Sequence, residues 1–148
     1  MTLKSIRSGG QTGADQAGSE AAIQLGLEPG GWIPKGRRTN IGRLTDRLFE
    51  RYKYQEHTSV QYSPRTEQNG LDSDGTVLFG NVGSPGCALT IRLCQKHGKP
   101  YIINPTKERF LEFLEKYEIE VLNCAGNREE TNKGIFARTL GFLVSALS

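Results

Sequence analysis

Two glycine-rich turns carry the residues best placed to do chemistry. Gly9-Gly10-Gln11-Thr12-Gly13 lies between a short strand predicted over Leu3–Ser8 and a helix predicted over Asp15–Leu25. Gly80-Asn81-Val82-Gly83-Ser84-Pro85-Gly86 lies between a strand over Gly75–Phe79 and a helix over Cys87–His97. A helix N-terminus presents unpaired backbone N–H groups and a partial positive charge, both of which suit a phosphate or another oxyanion. Glycine lets that backbone approach closely, and the side chains of Gln11, Thr12 and Ser84 add donors. One such turn is as often a plain strand–helix connection as a ligand site, but two in one small chain favour a ligand. Neither turn has the dinucleotide fingerprint or the Walker lysine, so ordinary NAD or ATP binding is not supported.

Other candidates surround these turns. Cys124-Ala125-Gly126-Asn127-Arg128-Glu129 is a third glycine-containing loop, placed after a strand over Glu120–Asn123. Parallel strands open onto one edge of the sheet, where ligands bind, so the three loops should converge there. Lys35, Arg37 and Arg38 make a compact basic loop that would be ordinary solvated surface elsewhere. Beside three anion-ready turns it points to holding a phosphate or oxyanion. Asp15 opens the first helix and is read first as a cap, with ligand contact second. Asp72 and Asp74 read as turn residues, and Trp32 as a core residue or a stacking platform. Cys87, at a helix N-terminus, is expected to have a lowered thiol pKa. No nucleophile–base pair, HExxH motif or carboxylate in the second glycine turn is present. Chemistry needs an acid, a base or a metal, and this chain displays mainly anion holders, so no catalytic residue and no metal ligand is assigned.

The elements that must position these residues alternate. A weak strand at Gly30–Trp32, a loosely defined segment at Leu44–Tyr52 and a helix over Pro64–Leu71 fill the first half. A strand at Pro100–Asn104, a helix from Thr106 to about Tyr117 and a closing helix over Ile135–Leu147 complete the second. This pattern predicts a single α/β domain over residues 1–148, with an open, mostly parallel sheet and helices on both faces. At 148 residues the chain is the size of one domain. Glycine supplies 18 of those residues, above the roughly 7% average, which fits a chain built around tight strand–helix turns. The net charge of +3 is too small to argue for nucleic acid. No apolar run reaches the ~20 residues of a membrane span, and no signal peptide is read at the N-terminus, so a cytoplasmic protein is expected. Three cysteines argue against a disulfide framework.

These residues resemble the molybdenum cofactor carrier family. The resemblance rests on Ser8-Gly9-Gly10-Gln11-Thr12-Gly13-Ala14-Asp15 and Gly30-Gly31-Trp32-Ile33-Pro34-Lys35-Gly36-Arg37. It continues through Tyr62, Arg65-Thr66-Glu67, Asn69, Asp72-Ser73-Asp74, Ala88-Leu89-Thr90 and Val121-Leu122-Asn123-Cys124-Ala125-Gly126. It implies a Rossmann-like fold related to LOG-type nucleotide-processing proteins, and a homotetramer. The implied cargo is the molybdenum cofactor, a pterin dithiolene (Mo-molybdopterin) with a terminal phosphate, which is stored, protected and passed to molybdoenzymes. By that resemblance Gly10, Gln11, Thr12, Gly13, Lys35, Arg37, Ser84 and Gly86 line the site, with Asn123, Gly126 and Arg128 nearby. Gly9, Asp15, Arg38, Gly83 and Cys87 complete the candidate binding set. The chain departs from the family where Ser84-Pro85-Gly86-Cys87 replaces Ser-Gly-Gly-Thr, which removes one backbone N–H at Pro85. It departs again at Asn127, where proline is common.

The same residues fit two other functions. A LOG-like phosphoribohydrolase would cleave a nucleoside monophosphate, using a glutamate in Pro-Gly-Gly-x-Gly-Thr-x-x-Glu. The matching stretch here, Gly83–Thr90, has no carboxylate. A sensor of a nucleotide-like ligand would use the same pocket without delivering a cofactor. Reversing the charges of Lys35 and Arg37 is expected to weaken anion binding. Gly13→Val is expected to abolish binding while sparing the fold.

Overall fold

The structure, a computed structural model, describes residues 2–148. Its elements run β1 Ser5–Arg7, α1 Ala14–Gln24, β2 Glu28–Ile33, β3 Arg38–Thr39, β4 Gly42–Arg43, α2 Asp46–Arg51 and β5 Tyr54–Glu56. They continue with α3 Tyr62–Leu71, β6 Gly75–Phe79, α4 Pro85–Lys96, β7 Tyr101–Ile103, α5 Lys107–Lys116, β8 Val121–Gly126 and α6 Ile135–Leu147. Six strands form one sheet in the order β5-β2-β1-β8-β6-β7, and every pairing in it is parallel. This is the single α/β domain expected from the alternation, with the Rossmann-like fold that the resemblance implies.

Handedness sorts the helices. Right-handed crossovers place helices that lead one way along the sheet on one face and those that lead back on the other. Thus α1 (β1 to β2) and α5 (β7 to β8) share a face with α6, while α3 (β5 to β6) and α4 (β6 to β7) cover the opposite one; α1 packs on α6, and α3 on α4.

The two faces differ in chemistry. On the α1/α5/α6 side, Ile6, Phe79, Leu122, Phe110, Phe113 and Leu143 form a continuous apolar core. Beneath α3 and α4 the buried residues are largely polar: Arg65, Asn69, Ser73, Thr76, Thr90 and Asn123. Period-2 alternation along β8 divides them, Leu122 and Cys124 going to the apolar core and Asn123 to the polar layer, where its Nδ2 donates to Thr76 Oγ1 at 3.3 Å. Buried polar groups need partners, so a layer built this way tolerates, and invites, a polar ligand.

Several boundaries differ from expectation. The weak strand at Gly30–Trp32 is a six-residue strand, Glu28–Ile33, paired with β1. Its glycines concealed it, and both are needed: Gly30 leaves room for Arg7, and Gly31, at φ 139°, lies against the Ser8 backbone. Strand β5 and the β3–β4 hairpin had no sequence signal, being three and two residues long. The loosely defined segment contains α2, capped by Thr45 Oγ1, which accepts from Leu48 N at 3.3 Å. The third glycine loop begins later than expected, because Cys124, Ala125 and Gly126 still belong to β8.

Candidate functional site

The loops after β1, β6 and β8 meet at the C-terminal edge of the sheet. A cavity of about 270 Å³ opens there, on the polar α3/α4 side, where β1 and β8 lie adjacent. It sits at a topological switch point: from β1 the chain first leads toward β2, and later strands fill the opposite side.

Half of the candidate residues line it. Gly9, Gln11 and Asp15 come from the first turn and the start of α1, and Gly86 and Cys87 from the start of α4. Asn123, Gly126 and Arg128 come from β8 and the residues after it. Gly10, Thr12, Gly13, Lys35, Arg37, Arg38, Gly83 and Ser84 lie outside the lining, and most have a different partner.

The basic loop turns away. Arg37 Nη1 bonds Asp46 Oδ1 at 2.8 Å, its Nε bonds Glu56 Oε1 at 3.1 Å, and the guanidinium sits 3.6 Å from the centre of the Phe49 ring. Arg38 donates to the Val60 carbonyl at 3.0 Å and covers Tyr62. Lys35 is exposed on the surface. A cation beside two carboxylates is drawn to them, and these are fixed by α2 and β5, elements the sequence did not resolve.

Thr12 and Ser84 serve the loops themselves. Thr12 Oγ1 donates to Glu130 Oε2 at 2.7 Å. Ser84 Oγ accepts from Cys87 N at 3.5 Å as the cap of α4, and Pro85 occupies the first turn of that helix, where a missing N–H costs nothing. Gly13, at φ 81°, lies where a Cβ would run into the Asn127 carbonyl and come 2.7 Å from Glu129 N. Its smallness therefore joins two loops, which corrects the expectation that only ligand approach depends on it.

Asn127, the departure from proline, ties the second turn to the third. Its Oδ1 accepts from Asn81 N at 2.6 Å, and its Nδ2 donates to the Asn81 carbonyl at 2.9 Å and to Ser84 Oγ at 3.2 Å. Proline could make none of these side-chain bonds, nor the backbone bond from Asn127 N to the Phe79 carbonyl at 3.1 Å.

Asp15 is not a conventional cap. It is the second residue of α1, and its carboxylate turns back to accept from the backbone N–H groups of Gln11, at 3.2 Å, and Gly9. Burial lifts its pKa from 3.8 to about 6, against the lowering pull of Arg65, those hydrogen bonds and Arg128. Cys87 departs from expectation in sign: burial raises its thiol pKa, outweighing the lowering hydrogen bonds of Ser84 and Asn127. Trp32 is half-buried, its Nε1 donating to Asp72 Oδ2 at 2.8 Å, so this aspartate anchors the ring as well as ending α3.

The central residue that sequence reasoning did not assign to the site is Arg65. It projects from α3 into the cavity wall, 8% exposed, with its guanidinium 5.4 Å from the Tyr62 ring centre and Nη1 bonded to Thr66 Oγ1. Its Nε has no partner, and no carboxylate lies within ion-pairing distance of it among the described residues. The available signal was an arginine at mid-helix beside Asn69, whose side chain holds β2 by accepting from Trp32 N at 2.8 Å. Tyr62, Thr66, Asn69, Leu89 and Thr90 also line the cavity.

Comparison with known proteins places this geometry. The sequence profile described as "Circularly permutated YpsA SLOG family" matches residues 6–147. A crystal structure of a protein from Syntrophus aciditrophicus SB, described as a "putative molybdenum carrier protein", superposes with a TM-score of 0.88 at 34% identity. The match covers 99% of this chain and 95% of that one. No curated protein matches. With nearly its whole length matched by the profile and its fold shared with that relative, the chain belongs to the circularly permutated YpsA family of the SLOG superfamily.

Proposed function

We propose that this protein binds the molybdenum cofactor at the C-terminal edge of the sheet, protects it and releases it to molybdoenzymes, with no chemical step of its own. The observation that carries this reading is the polar cavity: Arg65 and Gln11 line it, and each keeps a buried N–H group, Arg65 Nε and Gln11 Nε2, that has no protein partner. Unpaired buried donors are costly, and a ligand rich in acceptor oxygens offsets that cost. The cofactor's terminal phosphate and pterin carbonyl are such acceptors. At about 270 Å³ the cavity falls just below the ~300–1,000 Å³ of small-molecule sites, so it suits one end of the cofactor and leaves the rest at its rim. The relative described as a molybdenum carrier supports the choice of cargo. A cytoplasmic homotetramer belongs to the same proposal, and light scattering of the purified protein tests the assembly.

The test is retention. The protein is mixed with freshly released cofactor and desalted, and bound pterin is measured by fluorescence after oxidation. Bound pterin outlasting free cofactor, and lost in Arg65→Ala, is the expected result. No retained pterin overturns the reading.

One observation favours a second reading. The hydrolytic alternative lacked a carboxylate in the second turn, but Asp15 supplies one from the first, buried and with a raised pKa, which is a combination suited to acid–base work. Free base released from a nucleoside 5′-monophosphate, and not released by Asp15→Asn, would select this enzyme reading over the carrier.

A further inference from the structure

Gln11 has a fixed orientation. Its Oε1 accepts from the backbone N–H of Asn40 at 2.9 Å, and a backbone N–H can only donate. The end of the amide left over is therefore Nε2, a buried donor with no partner, on a side chain 7% exposed that lines the cavity. Asn40 itself is held by the Glu130 carboxylate, which accepts from its Nδ2, so the β3–β4 hairpin acts as a brace for Gln11. Arg65 lines the same cavity, and its buried Nε has no partner and its guanidinium no ion pair. Two buried, orphaned donors, one of them cationic, define the chemistry of the missing partner: an anionic group bearing acceptor oxygens.

Asp15 complicates its entry. The point where a Cβ on Gly9 would stand is 2.6 Å from Arg65 Nη1 and 3.0 Å from Asp15 Oδ2. The carboxylate is therefore beside the guanidinium without forming an ion pair with it. An oxyanion arriving at Arg65 meets a like charge if Asp15 is ionised, and meets none if it is protonated. The titratable and charged groups facing Asp15 are Arg65 on α3, Arg128 after β8, Tyr54 on β5, Cys124 on β8 and Cys87 on α4. Burial lowers the pKa of the Arg65 guanidinium against the opposing pull of Asp15, and it raises the pKa of the tyrosine and both thiols, so these three stay neutral near pH 7. Asp15, with its carboxyl lifted to about 6, is the member of this group that changes charge there.

We propose that Gln11 Nε2 and the Arg65 guanidinium form an oxyanion subsite, specific for a phosphate-like end group, in which each bound anion brings one proton onto Asp15. The proton comes from solvent, and release of the anion returns it. This subsite deepens the ligand-site reading above and depends on that cavity being the binding site, while leaving the identity of the rest of the ligand open.

Inorganic sulfate is the probe, because it carries no proton of its own across the range tested. Sulfate affinity is followed by calorimetry at constant ionic strength from about pH 5 to about pH 8.5. The wild-type affinity is expected to be level in acid and to fall about tenfold per pH unit well above Asp15's pKa. Heats measured in two buffers of different ionisation enthalpy should show uptake of close to one proton per sulfate near neutral pH. Asp15→Asn should flatten the pH profile, and Gln11→Ala should weaken binding at every pH while keeping the slope. The wild-type proton count stands even if a variant fails to fold. A flat wild-type profile, zero proton uptake or no sulfate binding at any pH overturns the subsite. Proton-linked sulfate binding without cofactor retention instead rejects the carrier reading and leaves the subsite intact.

Discussion

Arg65 and Asp15 meet over the backbone of Gly9. The guanidinium and the carboxylate both come within 3.0 Å of the place where any other residue would put its Cβ. A glycine here is therefore required by the close approach of these two side chains in the cavity wall, although its backbone conformation is ordinary. Gly9→Ala should push the Arg65 guanidinium aside, since it is the movable end of a side chain. The expected result is a folded protein, destabilised by about 1–3 kcal/mol, whose anion affinity falls at least tenfold. Thermal unfolding and sulfate titration of the same sample separate the two effects.

Asp15 also makes stability depend on pH. Its folded pKa lies above the unfolded value, so the folded state binds the extra proton. Stability is therefore highest below about pH 4 on this account and declines as pH rises through about 6. A shift from 3.8 to about 6 corresponds to about 3 kcal/mol at most. Asp15→Asn should be more stable than wild type by about 2 kcal/mol at pH ~8 and gain little at pH ~4. Urea unfolding at both pH values checks this, and an equal effect at the two would sink it.

Gly13 tests a different contact. With φ at 81° and the Asn127–Glu129 backbone against it, Gly13→Ala should cost about 2–3 kcal/mol of stability through strain and displacement. A melting temperature unchanged from wild type would return Gly13 to a purely ligand-facing role.

Asn127→Ala should loosen the second and third turns together. It removes the partners of Asn81 N and O and of Ser84 Oγ, at an expected cost of about 2–3 kcal/mol. Hydrogen exchange should show faster exchange at Asn81–Cys87 and Asn127–Asn132, with the amides of β1 unaffected.

Arg37→Glu should disturb the basic loop and spare the cavity. The arginine is committed to Asp46 and Glu56, so reversal places three negative charges together and lowers the melting temperature. Sulfate affinity is expected to stay within about threefold of wild type, since the charge lies outside the cavity and is screened. A tenfold loss would place Arg37 in the ligand site.

The alternation of strands and helices, and with it the parallel sheet and the edge where loops gather, was legible in the sequence. Apolar runs such as Val77-Leu78-Phe79 and helix stops such as Gly98 are local signals, and right-handed crossover does the rest. The glycine turns were legible for the same reason: a strand running into a helix needs a tight, donor-rich turn wherever it occurs. Which polar side chains turn inward is a different matter. Arg37 and Arg65 look equally available in the sequence, and only the packing of α2 and β5 gives the first its carboxylates, while α3 buries the second beneath the cavity. Asp15 reads as a cap until the fold removes water from around it, and Cys87 reads as activated until the same burial reverses the sign. Charge and spacing are properties of the chain. Desolvation and the choice of partner exist only once α1, α3 and α4 have closed over the sheet.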